Sequence, residues 1–226
     1  MVKQILCYGD SNTWGTDCDR PEVKGVSARH DIHTRWTGRL AAALGPDFRV
    51  IDEGMPARTT VFDDPMRDFR NGKKHIIPCI NSHRPLDMVV IMLGTNDLQT
   101  RYSAAAAEIA QGVEMLVEMV ENGCAGIDGE RPEILIITPA PMRKMSPVEE
   151  QSWSGFQEKL AQLPALYKAV ASRRKCHFID SHQVISVDDM GVDGFHFAAS
   201  AHEKLANCLT AKIKEVFARE SVGAVS

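Results

Sequence analysis

Apolar residues in this chain gather in short runs that are rich in β-branched side chains and bounded by turn formers. Residues 4–8, 48–52, 88–93 and 134–138 have the length and composition of buried strands, and 177–180 makes a weaker fifth. Between them the apolar positions recur at helical spacing. Residues 36–44 are Ala/Leu-rich and stop at Gly45-Pro46, and 76–82 form a shorter candidate. Residues 104–121 carry a stripe through Ile109, Val113, Leu116 and Val120. Residues 157–173 read as helical, with Pro164 expected to kink or divide them. A last helix is expected over 200–217, with Ser200 as N-cap and Glu203 as its capping-box partner.

Strands alternating with helices imply βαβ units and helices on both faces of a sheet. The expected fold is therefore α/β, a three-layer α/β/α domain with a five-stranded, mainly parallel sheet spanning residues 1–226. The pattern leaves strand order open, and the flavodoxin-like order is the reasonable prior. Two irregular stretches, 16–34 and 139–153, exceed the usual loop length and are candidates for pocket walls.

Composition narrows the partners. Hydrophobic residues make up 44% of the 226 positions, enough for a sizeable core, and the 25% that are charged argue against disorder. A net charge of −4 supplies no basic field, so no nucleic-acid partner is expected. The first residues run straight into a strand without a signal-peptide pattern, and no apolar stretch nears about 18 residues. A soluble, cytoplasmic protein without a membrane partner is expected. The six cysteines are scattered, and Cys7 and Cys176 read as small buried thiols within strands.

The chemistry lies in the turns. Gly9-Asp10-Ser11 follows the first strand, Gly54 to Thr59 the second, and Gly94-Thr95-Asn96-Asp97 the third. In a parallel sheet these are carboxyl ends, the edge where open α/β folds bind ligands. Asp193-Gly194-Phe195-His196 precedes the last helix, on a loop able to return to the same edge. Ser11 can act as nucleophile, His196 can take its proton, and Asp193 can hold the imidazole tautomer. The Ser11 amide, an amide in the 54–58 turn and the Asn96 side chain can donate to a tetrahedral oxyanion. Each motif alone is a common turn or cap; their joint occurrence at strand ends is what carries weight.

These segments resemble the signature blocks of the SGNH, or GDSL-type, hydrolases. The stretches Ile5 to Gly15, Arg35-Trp36-Thr37-Gly38, Ala57-Arg58-Thr59-Thr60 and Ile91 to Asp97 are similar to the bacterial arylesterase/acyltransferase branch. The resemblance covers residues 4 to about 213. It implies a Ser11–His196–Asp193 triad and an oxyanion hole of the Ser11 amide, the Ala57 amide and the Asn96 side chain. One departure stands out. The family's second block commonly has Ser-Gly where this chain has Pro56-Ala57. Alanine still donates its amide, whereas Pro56 has no N–H and a fixed φ.

The expected activity is serine-esterase hydrolysis of small apolar carboxylic esters through a Ser11 acyl-enzyme, without metal or organic cofactor. The branch implies arylesterase activity, acyl transfer to alcohols or peroxide, and a homo-oligomer whose long loops restrict neighbouring pockets. Carbohydrate deacetylation or thioester hydrolysis is the alternative, and a non-catalytic binding protein a more distant one. Trp14 and Phe195 are the better candidates for pocket walls, with Trp153 tentative and Phe156 as readily core. Asp10 is assigned loop-bracing bonds and Asp97 the cap of the helix after Asn96. Arg58 is expected to pair with a nearby acid such as Asp63 in preference to a substrate carboxylate. His30 and His33 lack a further ligand set and are read as solvated.

Overall fold

Every neighbouring pair of strands in the central sheet is parallel, and the order is β2-β1-β3-β4-β5. The strands are β1 (Lys3–Gly9), β2 (Phe48–Gly54), β3 (Met88–Met92), β4 (Glu133–Ile137) and β5 (His177–Ile179). This is the flavodoxin-like order. The computed structural model describes residues 2–20, 22, 23, 25, 27–143, 145 and 151–223.

Side chains alternate across the pleat, so each strand feeds two cores. Leu6, Tyr8, Val89, Ile91, Ile134 and Ile136 face one way, onto α3 (Gly72–His83), α4 (Ala106–Asn122) and α5 (Phe156–Arg174). Ile5, Cys7, Val90, Met92, Leu135 and Ile137 face the other, onto α2 (Trp36–Leu44) and α6 (Ala199–Gly223). Three layers result. No helix among the described residues is long and apolar enough to cross a membrane.

The strand positions agree with the apolar runs, and the differences lie in the helices. A short α1 (Ser11–Trp14) has no apolar stripe to announce it. The start of α3 was hidden because its first turn, Gly72-Lys73-Lys74-His75, is polar. Helix α5 runs undivided through Pro164, whose neighbours Leu160, Leu163 and Tyr167 are buried in the core and hold the rod together. Helix α6 starts one residue before Ser200, so Ser200 lies in the first turn and is not its N-cap. Its hydroxyl serves Asp189, and Glu203 reaches toward Arg39 at 3.8 Å. Cys176 lies before β5 and is half-buried, with the Arg131 guanidinium 3.4 Å from its sulfur.

In register, Gly9 sits opposite Gly54 on one side and Met92 on the other, so three strands finish at a common edge. Helix α1 folds tightly over that edge. A Cβ on Gly9 would come 1.9 Å from Thr13 Oγ1, and one on Gly54 would come 2.1 Å from the Trp14 amide nitrogen. Only glycine lets the chain pack so closely. Gly54→Ala should therefore destabilise the fold by about 1–3 kcal/mol through overpacking against backbone. Urea unfolding of the two proteins checks this, and an unchanged midpoint would show that α1 yields freely.

Candidate active site

Ser11 opens α1, directly after β1, and its side chain points along the carboxyl edge of the sheet. Asp10 precedes it as the N-cap: its Oδ1 accepts the Asn12 amide at 2.9 Å. Across the edge, the 190–197 loop leads into α6. His196 Nε2 lies 2.9 Å from Ser11 Oγ, and His196 Nδ1 lies 2.6 Å from Asp193 Oδ2. The other Asp193 oxygen accepts the amides of Phe195 at 3.1 Å and His196 at 3.0 Å. Burial pushes the Asp193 carboxyl up, but the His196 bond and charge with these two amides outweigh it and hold the group below its ordinary value.

Asn12 joins the two halves. Its Nδ2 donates to the Phe195 carbonyl at 3.0 Å, and its Oδ1 accepts the Phe197 amide at 3.0 Å. In the sequence the signal for this role is the position of Asn12 directly after Ser11. Arg143 steadies the same loop from the far side, with its amide on Gly194 O at 2.8 Å and Nη2 on Met190 O at 2.9 Å.

The donors for an oxyanion converge on the same cleft, of about 310 Å³, lined by Ser11, Ala57, Asn96, Trp153, Phe195 and His196 among others. Among the described residues, the Ser11 and Ala57 amides have no acceptor within the protein. Asn96 Nδ2 gives one hydrogen to the Arg58 carbonyl at 3.0 Å, which leaves its second free to donate. Ala57 has φ +62°, the left-handed region that suits glycine. The Pro56-Ala57 turn thus keeps the backbone shape and bears a Cβ there, at a cost of about 1–2 kcal/mol.

Two buried acids brace these turns. Asp97 does not cap a helix. Its carboxylate accepts the Thr60 amide at 2.9 Å and the Thr60 hydroxyl, tying the β3 turn to the segment after Ala57. Burial pushes the Asp97 carboxyl up to about 6, Asp10 adding to the rise against the Thr60 bonds. Burial likewise pushes Asp10 up to about 6, against the pull of the Asn12 amide and His196.

Arg58 departs from its expected pairing with Asp63, which meets Lys74 instead at 2.7 Å. Arg58 is buried with its guanidinium 4.1 Å from the Tyr8 ring centre, and Nη1 donates to Gly9 O at 2.8 Å and to Glu53 O. It ties the ends of β1 and β2 beneath the cleft. The position of the partner was invisible in the sequence because backbone carbonyls carry no letter.

Of the aromatic residues, Phe195 and Trp153 line the cleft with ring centres 5.1 Å apart, and Phe195 stacks 4.3 Å from the His196 ring. Phe156 lies behind Trp153 in the core. Trp14 sits under the Arg29 guanidinium, at 4.8 Å, outside the lining of this cleft. Arg29 also bonds the Trp14 carbonyl and Asp52, and so holds the indole there. His30 Nδ1 lies 3.5 Å from Asp17, and His33 is exposed. Both long loops contribute walls, Thr16, Glu22 and Ser27 from one and Ser152 and Trp153 from the other. Residues 21, 24, 26, 144 and 146–150 of those loops lie outside the described residues.

Asn12→Ala should cost about 1–3 kcal/mol by stranding the buried Phe197 amide and the half-buried Phe195 carbonyl. It should also slow labelling of Ser11 by a fluorophosphonate more than about tenfold, because displacements of about 1 Å can cost about 100-fold. Equal labelling rates would show that the serine and histidine halves do not need this link.

The profile of the GDSL-like lipase/acylhydrolase family matches residues 7–204. An inhibitor-bound aryl esterase from M. smegmatis is 38% identical over 94% of this chain and 99% of its own, with TM-score 0.86. Est24, a carbohydrate acetylesterase from Sinorhizobium meliloti, is 36% identical over 95% of this chain and 99% of its own, with TM-score 0.87. An acetylxylan esterase of Xylanibacter ruminicola is 25% identical over 93% of this chain, which spans only 43% of that protein's length.

Proposed function

Because this chain belongs to the GDSL-like lipase/acylhydrolase family, we propose that it hydrolyses small carboxylic esters through an acyl-enzyme on Ser11. The observation that carries this reading is the Ser11–His196–Asp193 relay, with contacts of 2.9 and 2.6 Å, opening on a cleft with unspent donors. His196 Nε2 takes the hydroxyl proton as Ser11 Oγ attacks the ester carbon. Asp193 keeps the other ring proton on Nδ1 and stabilises the imidazolium as it forms. The oxyanion meets the Ser11 and Ala57 amides and Asn96 Nδ2, each such donor supplying about 3–4 kcal/mol. The imidazolium returns its proton to the departing alkoxide. A water activated by the same nitrogen then releases the acid.

The substrate's two halves see different walls. Pro56, Ala57, Trp153 and Phe195 offer an apolar side suited to a short acyl group or an aromatic alcohol. Glu22, Ser27, Gln99 and Ser152 offer a polar side. The first favours aryl and small alkyl esters, the reading we adopt. The second favours removal of acetyl groups from carbohydrate, as the name of Est24 describes for that protein. When an alcohol or peroxide displaces water from this wall, the acyl group passes to it instead.

Self-association is part of the proposal. Met66 and Phe69 are 77% and 80% exposed beside the cleft-lining Arg67, an apolar edge that a second copy would cover. A sedimentation mass equal to one 25.0 kDa chain would remove that part.

Hydrolysis of p-nitrophenyl acetate and longer acyl homologues, beside acetylated sugars, tests the reading. Activity should fall with acyl length and vanish in Ser11→Ala. Asn96→Ala should lower kcat by about 100- to 1000-fold, the usual loss of one oxyanion donor. Activity that survives Ser11→Ala would overturn the nucleophile, and activity confined to acetylated sugars would select the second substrate class.

A further inference from the structure

Cys18 has no role in the ester chemistry, yet its thiol lies against the orienting acid. Burial, with the Asp193 and Asp19 charges beside it, pushes the Cys18 thiol up to about 11. Cys18 Sγ, an Asp193 carboxylate oxygen and a His196 ring nitrogen all lie within 4.8 Å of one another. The facing turn leaves room for the thiol only because it bears glycine: a Cβ on Gly191 would come 2.3 Å from Cys18 Sγ. The thiol is half-buried at the wall of a second cleft, of about 360 Å³, shared with Asp17, Arg20, Glu22 and His196. Arg20, on the same wall, is paired with Asp17 at 2.6 Å.

We propose that Cys18, Asp193 and His196 form a binding site for a thiophilic divalent cation such as Zn²⁺, and that the occupied site is an inhibited state of the enzyme. The inference rests on the function proposed above. Sulfur, nitrogen and oxygen ligands together select zinc-like ions over magnesium or calcium. Tetrahedral zinc distances of about 2.0–2.3 Å place ligand atoms about 3.3–3.8 Å from one another, inside the 4.8 Å that encloses all three, and the 2.6 Å contact between Asp193 and His196 opens as the ion enters. Water supplies the fourth ligand. A thiolate and a carboxylate neutralise the ion's charge; the thiol proton leaves to solvent on binding, and the neutral imidazole ligates through its unprotonated nitrogen while the ring proton stays on the other. Coordination removes from Ser11 its proton acceptor or that acceptor's orienting acid, so hydrolysis stops without any change at the serine.

A second trio, Glu53, Cys79 and His83, falls within the same 4.8 Å and is set apart by the cation beside it. The buried Arg58 cation bonds the Glu53 carbonyl there and opposes a divalent ion. That trio serves as the internal control.

The test titrates Zn²⁺ into the full chain while following ester hydrolysis. In parallel, Co²⁺ is titrated while following the thiolate-to-cobalt charge-transfer band. Wild type, Cys18→Ser, Cys18→Ala, Cys79→Ser and Ser11→Ala are compared. Zn²⁺ should inhibit wild type and Cys79→Ser equally, and EDTA should restore both. Both Cys18 variants should need at least about tenfold more Zn²⁺ for the same inhibition, since loss of even an outer partner weakens metal sites about 10- to 100-fold. The inactive Ser11→Ala should show the cobalt band, and neither Cys18 variant should. Equal inhibition of wild type and both Cys18 variants, or a band that persists without Cys18, overturns the site. Failure of every protein to hydrolyse esters would strike the proposed function instead, and the cobalt band would still decide the metal site.

Discussion

The hydrogen bond between Ser11 Oγ and His196 Nε2 joins residues 185 positions apart, and much of the local structure exists to hold it at 2.9 Å. On the serine side the constraint is steric. Glycines at the ends of β1 and β2 let α1 fold directly over the sheet, and Asp10 fixes its first turn. On the histidine side the constraint is a set of backbone bonds. Asn12 holds the carbonyl and amide that flank His196, Asp193 holds two amides of the same turn, and Arg143 reaches it from behind. Each such bond contributes only about 1 kcal/mol net, but a buried group left without its partner costs more. The arrangement is therefore cooperative.

Charge is handled beneath the cleft in a way that pairwise salt bridges would not accomplish. Asp10 and Asp97 are both fully buried, and Arg58 lies with them under the strand ends. Their partners are chiefly backbone amides, hydroxyls and carbonyls, which fix turns without consuming a second ionised side chain. Bonds from a charged group to such partners are worth about 1.5–3 kcal/mol each. Three turns from three strands are locked together in this way. The same logic accounts for the tolerance of Ala57 at φ +62°: its neighbour Arg58 is anchored from both its side chain and its carbonyl, so the turn is held in a shape that alanine alone would leave.

Much of this was legible in the sequence, for identifiable reasons. Buried parallel strands are continuous apolar runs, so β1 to β4 stand out, and turn residues at their ends mark the carboxyl edge. Residues 193–196 were recognisable because acid and base share one short turn. Helix ends were less visible. The polar opening of α3 and the four-residue α1 carry no periodic apolar signal, and Ser200 matched a capping pattern one residue inside the real start. Partners that are backbone atoms or distant residues were invisible, which is why Arg58, Asp97 and Asn12 were misassigned or passed over. The surroundings of Trp14 were hidden as well: it closes α1, and its indole lies under Arg29, a residue 15 positions further on.

The central claim is that Ser11 becomes covalently acylated, and rapid-quench mass spectrometry tests it most directly. The protein is mixed with p-nitrophenyl acetate in excess, quenched in acid within the first turnover and digested. The account predicts one added acetyl group, on the peptide that contains Ser11, absent from Ser11→Ala and accumulating in wild type at the rate of the nitrophenolate burst. A burst accompanied by no adduct on that peptide, or by an adduct on a different residue, would contradict it.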